Sequence, residues 1–319
     1  MTVPAVAVLD DYQDLARGFQ SWDRLTGRIA LETFTDHLED DAALAERLAS
    51  FDVVVAMRER TPFTRQRLER LTNLKLLTTT GMANAAIDIQ AARELGVVVC
   101  GTSIGGSATA ELTWGLIIAL TRHICEEDRN VREGRWQTTI GPELAGRTLG
   151  VIGLGRLGAR VAAYGAAFEM RVVAWSQNLD VERARELGVE PVGRDELLEC
   201  ADVVSIHTRL SDRTRGLIGS RELAVMKPTA YLVNTSRGPI IDEHALIAAL
   251  YENRIAGAAL DVFDEEPLPR EHPLRCAPNT LVTPHVGYAG IDTYTGFYRE
   301  IVENIEAWLD GAPVRVLNG

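Results

Sequence analysis

The chain has 319 residues, 46% hydrophobic and 24% charged, with 33 basic against 45 acidic residues and a formal net charge of −12. That length suffices for two domains with separate cores, and the composition is that of a soluble globular protein. The acidic excess argues against a nucleic-acid partner, because binding phosphates needs clustered Lys and Arg.

At the N-terminus, TVPAVAVLDDYQD joins a short apolar run to acids with no basic start, so it reads as a first strand and not a secretion signal. Strand-like apolar runs occupy 6–9, 29–34, 51–57, 74–79 and 97–100. Helical patterns alternate with them: 41–49 (DAALAERLA) and 87–95 (IDIQAAREL) space apolar residues three and four apart, and Gly96 follows as a stop. One long helical segment over 109–132 is expected to form the outgoing crossover. Its apolar stretch 112–120 is too short to span a bilayer, so no membrane partner is predicted. Cys100, Cys125, Cys200 and Cys276 lack disulfide or zinc-site spacing, so reduced thiols in the cytoplasm and no metal are expected.

At 151–158 stands VIGLGRLG, a GxGxxG between an apolar strand and a helical pattern. Gly153 suits the tight turn, Gly155 the approach of backbone to a pyrophosphate, and Gly158 close packing of helix on strand. The helix N-terminus would then meet the phosphates. With 27 glycines a chance match is also open. Strand-like runs resume at 171–175, 203–206, 230–234, 258–262 and 280–283. The tail 291–309 reads as one amphipathic helix, with Ile301, Ile305, Trp308 and Leu309 on a common face that packs back on the first domain.

The alternation predicts an α/β fold of two doubly wound domains, Rossmann-like and flavodoxin-like, with a cleft between them. A dinucleotide-binding domain over 105–286 is inserted in a substrate (catalytic) domain of 1–104 and 287–319. Three strand ends in the second half carry chemistry, at the side of an open α/β sheet where ligands bind. In YLVNTSRGPIID a strand ends at Asn234 and Arg237 follows in a Ser-Arg-Gly turn, where a guanidinium can clamp a carboxylate and polarise a carbonyl. A solvated loop arginine is the alternative. In AALDVFDEEPLP, Asp261 ends a strand and Glu266 precedes Pro267, although such acid runs also suit a surface loop. In TLVTPHVGY, His285 sits between Pro284 and Gly287 with the proton inventory for acid–base work.

GLGRLG, NTSRG, LDVFDEEPLP and TPHVG occur in this order, and through them the chain resembles the D-isomer-specific 2-hydroxyacid dehydrogenases over essentially its whole length. The resemblance implies hydride transfer between a nicotinamide cofactor and a D-2-hydroxy or 2-oxo acid. Arg237 would anchor the carboxylate and carbonyl, His285 would act as acid/base, and Glu266 as its partner. Asp261 would hold the nicotinamide carboxamide. The implied cofactor contacts are Gly153, Gly155, Arg156, Leu157, Gly158, Ser176, Gln177, Thr109, Thr208, Thr235, Asp261 and Gly287. TGMANAAID (80–88) corresponds to the family's substrate loop, so Met82 and Ala83 join Arg237 and His285 around the substrate. Ala83 stands where a second glycine is common and narrows the loop's freedom. Tyr12, 57–60 and Tyr288 would shape the side-chain pocket, and a homodimer through 109–132 is expected.

Where an acid would bind the ribose 2′-OH of NAD and repel the 2′-phosphate of NADP, this chain has Ser176, followed by Gln177 and Asn178. Arg209 replaces a usual proline; it either pairs with a phosphate or is an exposed loop residue. NAD is the expected cofactor and NADP stays open. Glu266, in place of the glutamine of formate dehydrogenases, argues against formate. The alternatives are a short phosphoglycerate-dehydrogenase-like enzyme and a dinucleotide-sensing protein like the family's corepressor relatives.

Overall fold

Runs of Val, Leu, Ile and Ala too apolar for a half-exposed sheet become inner strands buried on both faces, and helices begin at side-chain caps such as Asp40, Thr64, Asp88, Asp180 and Asp242. The structure, a computed structural model, describes residues 3–103 and 106–319. The chain divides into two units, Met1–Gly106 with Gly290–Gly319, and Ser107–Ala289. The expected boundary at 104/105 lies outside the described residues.

In the first unit the elements are β1 (Ala5–Val8), β2 (Ala30–Thr33), α1 (Asp41–Leu48), β3 (Val53–Ala56), α2 (Arg65–Arg70), β4 (Leu76–Thr79), α3 (Ile89–Glu94) and β5 (Val98–Cys100). Among the described residues they form a five-stranded parallel sheet of order β2-β1-β3-β4-β5, the flavodoxin-like winding. The strand expected over 51–57 shrinks to β3 because only Val53–Ala56 pair with β1 and β4.

The second unit runs α4 (Ala108–Thr121), α5 (Ile124–Arg132), β6 (Thr148–Ile152), α6 (Arg156–Ala167), β7 (Arg171–Trp175), α7 (Val181–Glu186), β8 (Glu190–Pro191), α8 (Arg194–Cys200), β9 (Val203–Ile206), α9 (Ser220–Val225), β10 (Tyr231–Asn234), α10 (Glu243–Tyr251), β11 (Gly257–Leu260) and β12 (Thr280–Val282). Its parallel sheet has the order β12-β11-β10-β9-β6-β7-β8, with an apolar cluster on each face. The direction of winding reverses between β6 and β9, the switch point at which such sheets bind ligands. The sequence reading passed over β8, an edge strand of two residues ending in proline.

The single helix expected over 109–132 is two helices. His123, in the left-handed region at φ 53°, ends α4 and starts α5. The reason is polarity: α4 buries Trp114, Leu116, Ile117 and Leu120 in the core of the second unit, whereas α5 (ICEEDRNVR) has little that could follow them inside. The α4 half is thereby occupied within its own unit, and the exposed apolar side chains lie further on, at Ile124, Val131, Trp136 and Ile140.

The tail forms α11 (Ile291–Leu309) and packs on the first unit as expected, against β4 and the 3₁₀ segment Gln20–Leu25. Its buried face keeps the expected Ile301 and Ile305 and adds Tyr294, Phe297, Tyr298, Val302 and Asn304, while Trp308 and Leu309 are only half-buried. Asn304 is tolerated there because its amide donates to the Gly101 carbonyl (2.8 Å) and its oxygen accepts from Arg315 (2.9 Å). No helix among the described residues is long and apolar enough to cross a membrane.

Candidate active site

The glycine motif opens the site. Gly153 leaves β6 at φ 97°, and a Cβ on it would run into the His207–Thr208 backbone beyond β9. Gly158, in the first turn of α6, lies against the Gly153 carbonyl so closely that a Cβ would overlap it. Gly155 is the cap of α6, contributes no side chain to the first-turn N–H groups, and has open space within 4 Å of where a Cβ would stand. An uncapped helix start at a switch point, with room above it, fits a pyrophosphate. Arg156 and Leu157 are the first residues of that helix.

Ser176 follows β7, and its hydroxyl oxygen accepts from the Leu154 N–H at 3.0 Å. The hydroxyl proton stays available as a donor. Gln177, Asn178 and Arg209 are exposed. Thr208 follows β9 against Gly153, and Thr235 follows β10 with its hydroxyl 2.9 Å from that of Thr113. Thr109 lies on α4 beside Gly287. The expected cofactor residues therefore stand at the carboxyl end of the sheet or on the adjoining helices α4 and α6.

Sheet register gathers the reactive side chains. Asn234 of β10 is level with Leu260 of β11, and Leu260 is level with Val282 of β12. The loops that leave these three neighbouring ends carry Arg237, Asp261 with Glu266, and His285. Asn234, nearly fully buried, fixes the first loop: its amide donates to the Arg237 carbonyl (2.9 Å) and its oxygen accepts from Ser236 N–H (3.0 Å). Ser236 donates to the Ile206 carbonyl at 2.8 Å, and Arg237 Nη1 donates to the Ser236 carbonyl at 2.7 Å.

Asp261, 0% exposed, organises the His285 turn. One carboxylate oxygen accepts from Thr283 Oγ1 (2.6 Å) and Val286 N–H (2.9 Å), and the other from Gly287 N–H (2.7 Å). Burial pushes this carboxyl's pKa up, and those three hydrogen bonds oppose the shift. Between these anchors His285 takes a left-handed backbone, φ 52°, an uncommon conformation for a residue with a Cβ. Its Nδ1 lies 2.6 Å from Glu266 Oε2, while Glu266 Oε1 accepts from the Phe263 N–H at 2.9 Å. The Tyr288 ring meets the imidazole edge-on, with centroids 5.7 Å apart.

Met82 and Ala83 are exposed at the carboxyl end of β4, in the first unit. Their loop is pinned by Asn84, whose amide donates to the Arg58 carbonyl (2.6 Å) and to Thr79 Oγ1 (2.8 Å).

The sequence reading did not assign Asn234, Thr283 or His207 to the site. The signal for Asn234 was a polar residue closing an otherwise apolar strand. His207, partly buried, follows β9 with Nε2 2.8 Å from Ser205 Oγ, and its Nδ1 has no partner among the described residues. Burial pushes its pKa down to about 4, so it stays neutral beside the glycine turn.

Residues 114–287, more than half of the chain, match the family described as D-isomer specific 2-hydroxyacid dehydrogenase, NAD binding domain. A glyoxylate reductase from Aeropyrum pernix is 41% identical over 262 residues, 79% of this chain and 78% of that protein. A D-3-phosphoglycerate dehydrogenase from Bacillus subtilis is 36% identical over 88% of this chain but only 54% of its own length. The crystal structure of a phosphoglycerate oxidoreductase from Vibrio cholerae O395 superposes with a TM-score of 0.94 at 37% identity, covering 97% of this chain and all of that one. With the glycine turn, the three aligned strand ends and these relatives in agreement, the chain belongs to the D-isomer specific 2-hydroxyacid dehydrogenase family and is an NAD-binding oxidoreductase.

Proposed function

We propose that the chain interconverts a small 2-oxo acid and its D-2-hydroxy acid through Arg237, Glu266 and His285. The observation that carries this is the 2.6 Å contact of His285 Nδ1 with Glu266, on loops beside the one that holds Arg237. With Nδ1 engaged, Nε2 is the nitrogen left to hand a proton to the substrate oxygen in reduction and to take it back in oxidation. Glu266, through its contact with Nδ1, fixes the ring's orientation and tautomer. Arg237 binds the substrate carboxylate through parallel N–H···O bonds and polarises the adjacent carbonyl. When bound, NADH would supply the hydride for the 2-oxo carbon, and NAD would take it up in reverse.

Gly153, Gly155, Arg156, Leu157 and Gly158 would hold the pyrophosphate, and Ser176 and Gln177 the ribose beyond β7. Thr109, Thr208, Thr235, Asp261 and Gly287 would complete the cofactor contacts. The unit Ser107–Ala289 is then the cofactor domain, and the other unit, whose loop carries Met82 and Ala83, the substrate domain.

The active form is a homodimer, a reading supported by exposed apolar side chains along one segment, Ile124, Val131, Trp136 (76% exposed) and Ile140 (98% exposed). Four free cysteines support a reducing, cytoplasmic location, and the net charge of −12 supports the absence of nucleic-acid partners. A panel of 2-oxo acids assayed with NADH and NADPH separately tests the function. Reduction of at least one is expected; a pure protein that binds NADH and oxidises it with none would overturn the reading.

A further inference from the structure

The loops carrying Arg237 and Glu266 are joined a second time, away from the reacting groups. Beyond Arg237 the chain makes a 3₁₀ turn, Gly238–Ile240, and enters α10 at Glu243. Beyond Glu266 it reaches His272, which caps the 3₁₀ turn Pro273–Arg275 on the way to β12 and His285. Glu243 Oε1 lies 3.0 Å from His272 Nε2, with both side chains about five-sixths buried. His272 Nδ1 accepts from the Leu274 N–H at 3.3 Å, so Nε2 carries the proton and donates to the carboxylate. Nearer the site, Gly238 faces the Phe263 carbonyl so closely that a Cβ would overlap it, and Phe263 is the residue whose N–H holds Glu266.

We propose that the Glu243–His272 hydrogen bond, together with the Gly238 contact, is a brace that sets the Glu266–His285 pair relative to Arg237. These are positioning residues, and the inference rests on the roles proposed above for Arg237, Glu266 and His285. Glu243 lies six positions beyond Arg237 and His272 six beyond Glu266, so their hydrogen bond closes a frame around both. Such a frame matters because transfer to one carbon needs the acid and the anchor fixed together, and a misplacement of about 1 Å costs on the order of 10²-fold in rate. The proton on Nε2 has a further consequence: the brace needs an acceptor at position 243 and no charge.

The test compares Glu243→Ala, Glu243→Gln and His285→Ala in the full chain. Glu243→Ala should lower kcat for the 2-oxo acid by about tenfold, leave the Kd for NADH within about twofold, and shift the ¹⁵N resonance of the His285 ring. Glu243→Gln, which keeps the acceptor, should restore both kcat and the resonance. Wild-type kcat and an unmoved resonance in Glu243→Ala, or a Gln variant as impaired as the Ala variant, overturn the brace. So does a Kd for NADH that weakens in step with kcat. If Glu243→Ala does not fold, Glu243→Asp, one methylene shorter, carries the same expectations. A fully active His285→Ala would sink the reading of the site itself, whereas an inactive one beside an unaffected Glu243→Ala sinks the brace alone.

Discussion

His285 Nδ1 lies 2.6 Å from Glu266 Oε2, and the other oxygen of that carboxylate accepts from the Phe263 N–H, so the imidazole is oriented by a group itself tied to the backbone. Replacing His285 with Ala should lower kcat by roughly 10²–10⁴-fold, the usual worth of a general acid, while NADH binding, read by fluorescence titration, stays near wild type. Glu266→Gln retains a hydrogen-bonding oxygen without the charge and should fall between the two. Wild-type turnover in His285→Ala would remove it from the reaction.

Arg237 is held by Asn234 and Ser236 at the end of β10. Its replacement by Ala should lower kcat/KM for the 2-oxo acid by roughly 10²-fold, since each charge-assisted hydrogen bond contributes about 1.5–3 kcal/mol. Lys should recover only part, because an ammonium cannot match the two-pronged geometry. An unchanged KM and kcat in steady-state assays would mean that the carboxylate binds elsewhere.

The hydroxyl of Ser176 accepts from Leu154 N–H, and no acid stands there to repel a 2′-phosphate. Ser176→Asp keeps the acceptor and adds the charge. The ratio of the Kd values for NADPH and NADH should rise roughly tenfold or more, from like-charge repulsion. Calorimetric titration of both cofactors reads this directly, and an unchanged ratio would show that the 2′ position is sensed by other residues.

His37 faces the buried Asp10 carboxylate at 2.8 Å. That hydrogen bond, against opposing burial, raises the His37 pKa above its ordinary 6.5. A raised folded-state pKa stabilises the protonated fold, so the contribution is complete below about 6.5 and is lost as pH climbs through the higher folded value. Denaturant midpoints should therefore fall between pH 6 and pH 9, with a smaller fall in His37→Gln. Parallel pH dependences would leave this pair without a role in stability.

Trp136 and Ile140 present exposed apolar surface to water. In a homodimer through this segment, Trp136→Asp with Ile140→Asp should convert the dimer to monomer in sedimentation at micromolar concentration. An unmodified chain that sediments as a monomer refutes the assembly.

Local information carried much of this protein. Apolar runs of four or five residues, caps such as Asp40 and Asp242, and the Gly153–Gly158 turn declare themselves within a few positions, because strand burial, helix capping and left-handed turns depend on adjacent residues. The same is true of Arg237 and His285, which stand in turns at the ends of readable strands. The helix over 109–132 misled because helix-compatible residues continue past the point where the core ends; the polar α5 has little to bury beside α4, and the chain turns at His123. On α11, helical spacing suggested a face through Trp308 and Leu309, but the surface available in the first unit buries Tyr294, Tyr298 and Asn304.

The sequence by itself determined the order of the elements, the glycine turn and which residue types could react, since each is written in short-range patterns. Only the tertiary structure decided that Asn234, Leu260 and Val282 lie level, that Asp261 grips the His285 turn with both oxygens, and that Glu243 meets His272. Those pairings join residues tens of positions apart, and their partners are chosen by sheet register and by the need of each buried polar group for a hydrogen bond, neither of which a local pattern encodes.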